Sequence, residues 1–205
     1  MSSGVQDCSS TAVINHPSPC FKGVAVDPNL EFVDVSLCQF KGKWLVLFSY
    51  PLDFTFVCPT EVIAFSEHAK RFNDINCEVV GMSTDSVYCH LEWIGRPRNT
   101  GGLGKMNIKL IGDLGGKISK KFGFYSEEAG HDIRGTVIID PNGIIRHLSM
   151  DNPEVGRNVE EVLRLVKAYQ FAAEHGEVCP AQWEEGKDTI KPNPKDSKEF
   201  FSKVH

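Results

Sequence analysis

Pro51-Leu-Asp-Phe-Thr-Phe-Val-Cys58, continued by Pro59-Thr60-Glu61, sets one cysteine between the end of an apolar strand and the start of a helix. Before it, Lys43-Trp-Leu-Val-Leu-Phe-Ser-Tyr50 is a short apolar run rich in aromatic and branched residues, which suits a buried strand. Pro51 ends that strand, because proline cannot donate to a sheet ladder. After it, Val62, Phe65, Ala69 and Phe72 fall on one face of a helix. Pro59 is a proline of a first helical turn. Cys58 therefore stands near the N-cap, where unpaired N–H groups and the positive end of the helix dipole favour a thiolate. The thiolate is the nucleophilic form of cysteine. A hydroxyl (Thr55) lies three residues upstream of the sulfur and a carboxylate (Glu61) three downstream. A lone cysteine after an apolar strand is more often inert packing. Proline, threonine and cysteine together at a strand–helix junction weigh against that, and the junction itself is what a thioredoxin-like fold supplies.

Strands and helices alternate along the rest of the chain. The spacing predicts helices over 60–73, 86–95, 115–123 and 158–174, and strands over 77–82, 108–111, 135–140 and 144–149. The last two strands flank Asp140-Pro-Asn-Gly143, a hairpin turn. Alternation with one hairpin predicts an α/β fold, a mixed central sheet flanked by helices. From Gly176 the chain turns polar and proline-bearing, yet it keeps Cys179, Trp183, Phe200 and Phe201 and ends in an amphipathic piece, Ser197–Ser202. Such a tail is expected to dock on a surface. The expected organisation is a flexible segment 1–15, a thioredoxin-like domain 16–175 and a C-terminal arm or extension 176–205. Gly101-Gly-Leu-Gly104 reads as a flexible loop; without a following Lys-Ser/Thr it is not a phosphate loop.

The 205 residues are 41% hydrophobic and 24% charged, enough for one domain with a sizeable core. A net charge of −5 without a basic cluster argues against nucleic acid or anionic membrane as partner. No apolar run reaches about 18 residues, so no membrane span is expected. The start of the chain lacks the basic and apolar regions of a signal peptide. A cytoplasmic, reducing setting with free thiols is the expectation. The seven cysteines (8, 20, 38, 58, 77, 89 and 179) are irregularly spaced and form no C-x-x-C, which argues against a zinc site or a thioredoxin-type reductase. No metal and no cofactor is expected. Cys77 and Cys89 read as packing residues, while Cys8, Cys20 and Cys38 show no partner in sequence.

Residues 16–205 resemble the peroxiredoxins, specifically the typical two-cysteine branch of the AhpC/TSA family in its eukaryotic cytosolic type. The match rests on Pro51-x-x-x-Thr55-x-x-Cys58, Gly176-Glu-Val-Cys179-Pro180, Asp132-Ile-Arg134-Gly135, Val155-Gly-Arg157 and the GGLG loop. The resemblance implies reduction of hydrogen peroxide and organic hydroperoxides with thioredoxin as donor. It makes Cys58 the peroxidatic thiolate and Cys179 the resolving cysteine of the opposite subunit in a homodimer, with dimers joined into a decameric ring. Thr55 would donate to the sulfur and accept from the peroxide, Arg134 would stabilise developing charge, and Glu61 would hold Arg134 and Arg157. Pro51 would shield the sulfur. A C-terminal Tyr-Phe helix in relatives slows unwinding of the active-site helix and permits oxidation to sulfinic acid, which sulfiredoxin repairs. This chain has Phe200-Phe201 there, so weaker inactivation is expected. The alternative main role is that of a chaperone or redox-signalling relay.

Thiolate content cannot by itself make a fast peroxidase. An ordinary cysteine, with a pKa of about 8.5, is already a few per cent thiolate at neutral pH. Full ionisation adds only some tenfold to thirtyfold and lowers intrinsic nucleophilicity as well. The remainder must come from hydrogen bonds realised in the transition state.

Overall fold

The structure, a computed structural model, describes residues 10–204. In chain order it contains β1 (Lys22–Val26), β2 (Phe32–Ser36), β3 (Trp44–Ser49), α1 (Cys58–Asp74), β4 (Cys77–Ser83), α2 (Val87–Gly95) and β5 (Lys109–Gly112). There follow α3 (Ser119–Phe122), β6 (Tyr125–Ser126), β7 (His131–Asp132), β8 (Arg134–Ile139), β9 (Ile145–Asp151), α4 (Val159–His175) and α5 (Ser197–Val204). The chain divides into two compact units, one through Arg157 and one from Asn158 onward.

Among the described residues the first unit is built on a seven-stranded sheet in the order β2-β1-β5-β4-β3-β8-β9. β3 pairs in parallel with β4, and β4 with β5, whereas β8 and β1 join antiparallel. The sheet is thus mixed. β3 reads as an unbroken apolar run because both its faces are covered. Leu45 and Leu47 enter a core with Val80, Met82, Ile111, Phe122 and Val137. On the other face Phe48 stacks on Phe65 of α1 at 4.1 Å between ring centroids.

β1 and β2 have no counterpart among the strands read from sequence. They form a hairpin around Asp27, whose carboxylate accepts the N–H of Asn29 and Glu31. Each is only five residues long and exposed at alternate positions, so its apolar signal is weak. The residues at 10–15 are tied to this unit through Ala12 N–H to Lys121 O and Asn15 N–H to Ile145 O. Positions 1–9 of the segment expected to be flexible, Cys8 included, lie outside the described residues.

The GGLG segment is not the loose loop expected. Gly102, Leu103 and Gly104 donate to Pro97, Trp93 and Arg96 carbonyls, and the Trp93 indole donates to Gly101 O at 2.8 Å. A Cβ on Gly102 would lie 2.2 Å from the Arg96 carbonyl oxygen, so only glycine fits.

In the second unit Asn158 caps α4 by accepting the Glu160 and Glu161 N–H groups. The arm folds back along α4. Arg164 donates to Trp183 O at 2.7 Å, Lys167 meets Glu185, and the Phe171 and Trp183 rings lie 5.3 Å apart. The expected boundary at 175/176 thus falls inside a unit that holds α4 and the arm together. No described helix is long and apolar enough to cross a membrane.

Candidate active site

Cys58 is the first residue of α1 and is buried, with Val57 as cap residue and Pro59 behind it. Val57 offers no side-chain cap; its carbonyl accepts the N–H of Thr60 and Glu61. As an orphan of the first turn, the Cys58 N–H has no intrahelical acceptor. One turn on, the wholly buried Glu61 sits between two guanidinium groups. Its Oε1 accepts from the Arg157 backbone N–H at 2.7 Å and from Arg157 Nε at 2.8 Å. Its Oε2 accepts from Arg157 Nη2 at 3.2 Å and from Arg134 Nη1. That same Nη1 donates to Cys58 Sγ at 3.5 Å.

Both arginines are held from behind. Nε and Nη2 of Arg134 donate to the Pro153 carbonyl, at 2.9 and 2.5 Å. Arg157 Nη1 donates to Gly135 O at 2.7 Å, and its guanidinium lies over the Phe48 and Phe65 rings. Neither arginine is therefore a solvated surface residue, and their side chains are only 3% and 4% exposed. Buried charges persist only when paired and hydrogen-bonded, as these are. Pro51 is buried at the end of β3. Thr55 departs from expectation: its hydroxyl donates to Leu52 O at 3.0 Å, so its proton is not free for the sulfur. What it retains is acceptor capacity.

Cys179 lies in the second unit, half-buried, its thiol directed at Ala168 O at 3.6 Å. Burial pushes its pKa up, opposed by the Arg164 charge. Cys77 is buried, and burial raises its pKa far above the usual thiol range. Cys89 is pushed up to about 12 by burial and by the Asp53 and Asp85 charges. The buried Cys77 suits the packing role read from sequence, whereas Cys89 is half-buried beside two carboxylates. Cys38 is exposed and lies 3.1 Å from the Ser36 hydroxyl. Cys20 is disulfide-bonded, a departure from the free thiols expected. That expectation rested on an assumed compartment and not on geometry.

Sequence gave no warning of the buried network beneath the Pro51–Thr55 segment. Tyr50 donates to Asp53 Oδ1 at 2.9 Å, and burial, reinforced by Asp53, holds its hydroxyl protonated. The other Asp53 oxygen meets His90 Nδ1 at 2.7 Å, while His90 Nε2 meets Ile111 O at 3.1 Å. An acceptor at each nitrogen favours the doubly protonated ring. Burial lowers the His90 pKa, but the Asp53 hydrogen bond and charge outweigh it and the net shift is upward. Asp85 Oδ2 accepts from the Asp53 N–H and the Ser83 hydroxyl, each at 2.8 Å. Asp53, Asp85 and Cys89 form a grouping of metal-ligand type, but these hydrogen bonds already occupy its carboxylates.

The AhpC/TSA family matches residues 14–148, and the C-terminal domain of 1-Cys peroxiredoxin matches residues 168–203. The chain belongs to the AhpC/TSA family, the peroxiredoxins. It is an oxidoreductase of the peroxidase type, with the thioredoxin-like fold. Similar relatives of this peroxiredoxin include the human "Thioredoxin-dependent peroxide reductase, mitochondrial", 58% identical over 97% of this chain and 77% of the relative. The mouse protein of that name is 57% identical over 95% and 76%. Chicken Peroxiredoxin-1 is 51% identical over 95% and 98%. The crystal structure of reduced Plasmodium vivax 2-Cys peroxiredoxin superposes with a TM-score of 0.90 at 39% identity, covering 93% of this chain and 99% of the other. The expected cytoplasmic location is corrected here. The 57–59% identical relatives are all named mitochondrial, and a chain's composition does not carry its compartment.

Proposed function

We propose that this peroxiredoxin reduces hydrogen peroxide and organic hydroperoxides through Cys58, with thioredoxin as electron donor. The observation that carries the reading is the single Arg134 nitrogen bonded at once to the Cys58 sulfur and to Glu61. Two guanidinium groups against one carboxylate leave the buried cluster one positive charge in excess, and a thiolate at Cys58 brings it to neutrality. The thiolate attacks the terminal oxygen of ROOH. The S–O bond forms as the O–O bond breaks, leaving Cys58–SOH and RO⁻, which takes a proton from water. Arg134 and the Cys58 N–H stabilise the charge that develops on oxygen. Thr55, its proton committed to Leu52, accepts the peroxide O–H and orients it for attack. Pro51 excludes water.

The Cys179 thiol of a second subunit then attacks Cys58–SOH, forming a disulfide and releasing water; thioredoxin reduces that disulfide. The relatives' names support this donor. A disulfide requires Cα atoms within about 7 Å. A buried cysteine at the first position of a helix meets this only if the first turn unwinds. The edge strand β9 leaves backbone groups open to pairing with a second copy, and the homodimer and its decameric ring are proposed from the family resemblance. The packed GGLG loop and the Phe200–Phe201 arm are proposed to govern inactivation by excess peroxide, with sulfiredoxin as the repair partner.

The test adds one equivalent of hydrogen peroxide to reduced protein, blocks free thiols and maps linkages by non-reducing gel and peptide mass spectrometry. A Cys58–Cys179 bond between two chains is expected. Unmodified Cys58 with oxidation scattered over other cysteines would overturn the reading.

A further inference from the structure

One buried acid takes no part in that chemistry. Asp132 on β7 has no solvent exposure, and neither of its carboxyl oxygens has a hydrogen-bond partner. The Ser119 hydroxyl of α3, equally buried, also has none. The charges that act on Asp132 are carboxylates: Asp113, between β5 and α3, and Asp85, between β4 and α2. Asp113 is itself occupied, accepting the N–H groups of Ile118 and Ser119. Across the short β6–β7 ladder Asp132 pairs with Tyr125. Lys120 lies 4.3 Å above the Tyr125 ring and pairs with Glu127. On the acid's own strand, His131 Nδ1 meets the Asp132 backbone carbonyl and not the carboxyl. For an ionised carboxylate the Ser119 hydroxyl is the one nearby donor, too little against burial and two like charges, whereas the neutral acid is at home there with its own hydroxyl directed at Ser119.

The backbone links this acid to the sulfur. Only Ile133 separates Asp132 from Arg134. Ile133 is pinned through its N–H to Phe124 O at 2.7 Å and its carbonyl to the Ser49 hydroxyl at 2.8 Å. The β6–β7 ladder holds just two residue pairs, Tyr125 with Asp132 and Ser126 with His131. An ionised Asp132 must reach water, which lifts β7 and carries the Arg134 backbone with it. We infer that Asp132 is a positioning residue: as the neutral acid it seats Arg134 against Cys58, and its ionisation unseats that guanidinium and slows peroxide reduction. This rests on the roles proposed above for Cys58 and Arg134. Burial foremost, opposed by the Ser119 hydroxyl and reinforced by the Asp113 and Asp85 charges, pushes its pKa up to about 8.

The experiment compares the full-length parent with Asp132→Asn, which keeps the neutral acid's shape and cannot ionise; Asp132→Ser is the second variant. Cys58 oxidation by hydrogen peroxide is followed by stopped-flow tryptophan fluorescence, without thioredoxin, from pH 6 to 9.5. Because neither variant can ionise at position 132, the ratio isolates the pH dependence that Asp132 adds to the parent. The variant-to-parent rate ratio is expected to rise with pH and to reach about tenfold one unit above the titration of Asp132. A ratio that stays flat in a reactive parent overturns this inference alone. A parent that oxidises no Cys58 at any pH overturns the peroxidase reading and this inference together.

Discussion

At the scale of the residue, Glu61 is the hinge of the site, because it holds two cations that would otherwise repel. Glu61→Gln removes the charge and leaves two buried guanidinium groups underpaired. The expected loss is about 3–5 kcal/mol of stability, the usual result of breaking a buried pair, measured by urea unfolding. With Arg134 held only by the Pro153 carbonyl and no longer by a charged partner, peroxide oxidation of Cys58 should fall roughly 100-fold, the scale of losing one preorganised donor. An unchanged rate in a folded variant would show that Pro153 seats Arg134 without the Glu61 charge. Thr55 gives a sharper contrast. Because its proton is committed to Leu52, Thr55→Ser should keep most of the rate while Thr55→Val loses roughly 100-fold. Equal rates in both variants would show the hydroxyl to be dispensable. Cys58, Thr55 and Glu61 were legible from their spacing around one strand–helix junction. Nothing local revealed the direction of the Thr55 proton, which depends on how the Leu52 carbonyl is turned.

At the scale of the element, the proposed cycle asks that α1 be stable enough to seat Cys58 and loose enough to release it. Its first turn has no side-chain cap, which fits that requirement. The GGLG segment has the opposite character, locked by backbone bonds and by Arg98, which donates to Leu103 O and pairs with Glu67. Gly102→Ala would force a Cβ against the Arg96 carbonyl. Overpacking of this kind destabilises by about 1–3 kcal/mol, which a lowered Tm would report. A Tm within a degree of the parent would mean that the loop yields easily. In α5, Phe200 and Phe201 meet edge to face at 5.7 Å. Phe200→Tyr is expected to increase sulfinic acid formation at Cys58 under excess peroxide, scored by intact mass. An unchanged yield would show that the missing hydroxyl has no influence. Glycine-rich composition suggested a mobile loop, because sequence counts donors and acceptors without showing that they find one another.

At the scale of the whole molecule, the buried Asp53–His90 pair makes stability depend on pH. The folded pKa of His90 is raised above its unfolded value of about 6.5. Its stabilisation is therefore complete below about pH 6.5 and is lost as pH rises through the folded value. His90→Asn should destabilise most at low pH, with the gap to the parent narrowing toward pH 9 in urea titrations. A gap independent of pH would mean that the ring is neutral. Asp132 acts in the same direction: the folded protein holds its proton up to about 8, so stability falls as pH rises between about 4 and that value. The sequence alone determined the α/β class, the strand–helix junction at Cys58, the long helix α4 and the hairpin at Asp140–Gly143. Each follows from periodicity and turn chemistry within a few residues. The tertiary structure alone decided the joining of Arg134 and Arg157 on Glu61, the burial of His90 against Asp53, and the isolation of Asp132. Those contacts unite residues far apart in the chain, and a charged side chain carries no mark of whether it will meet water or a partner.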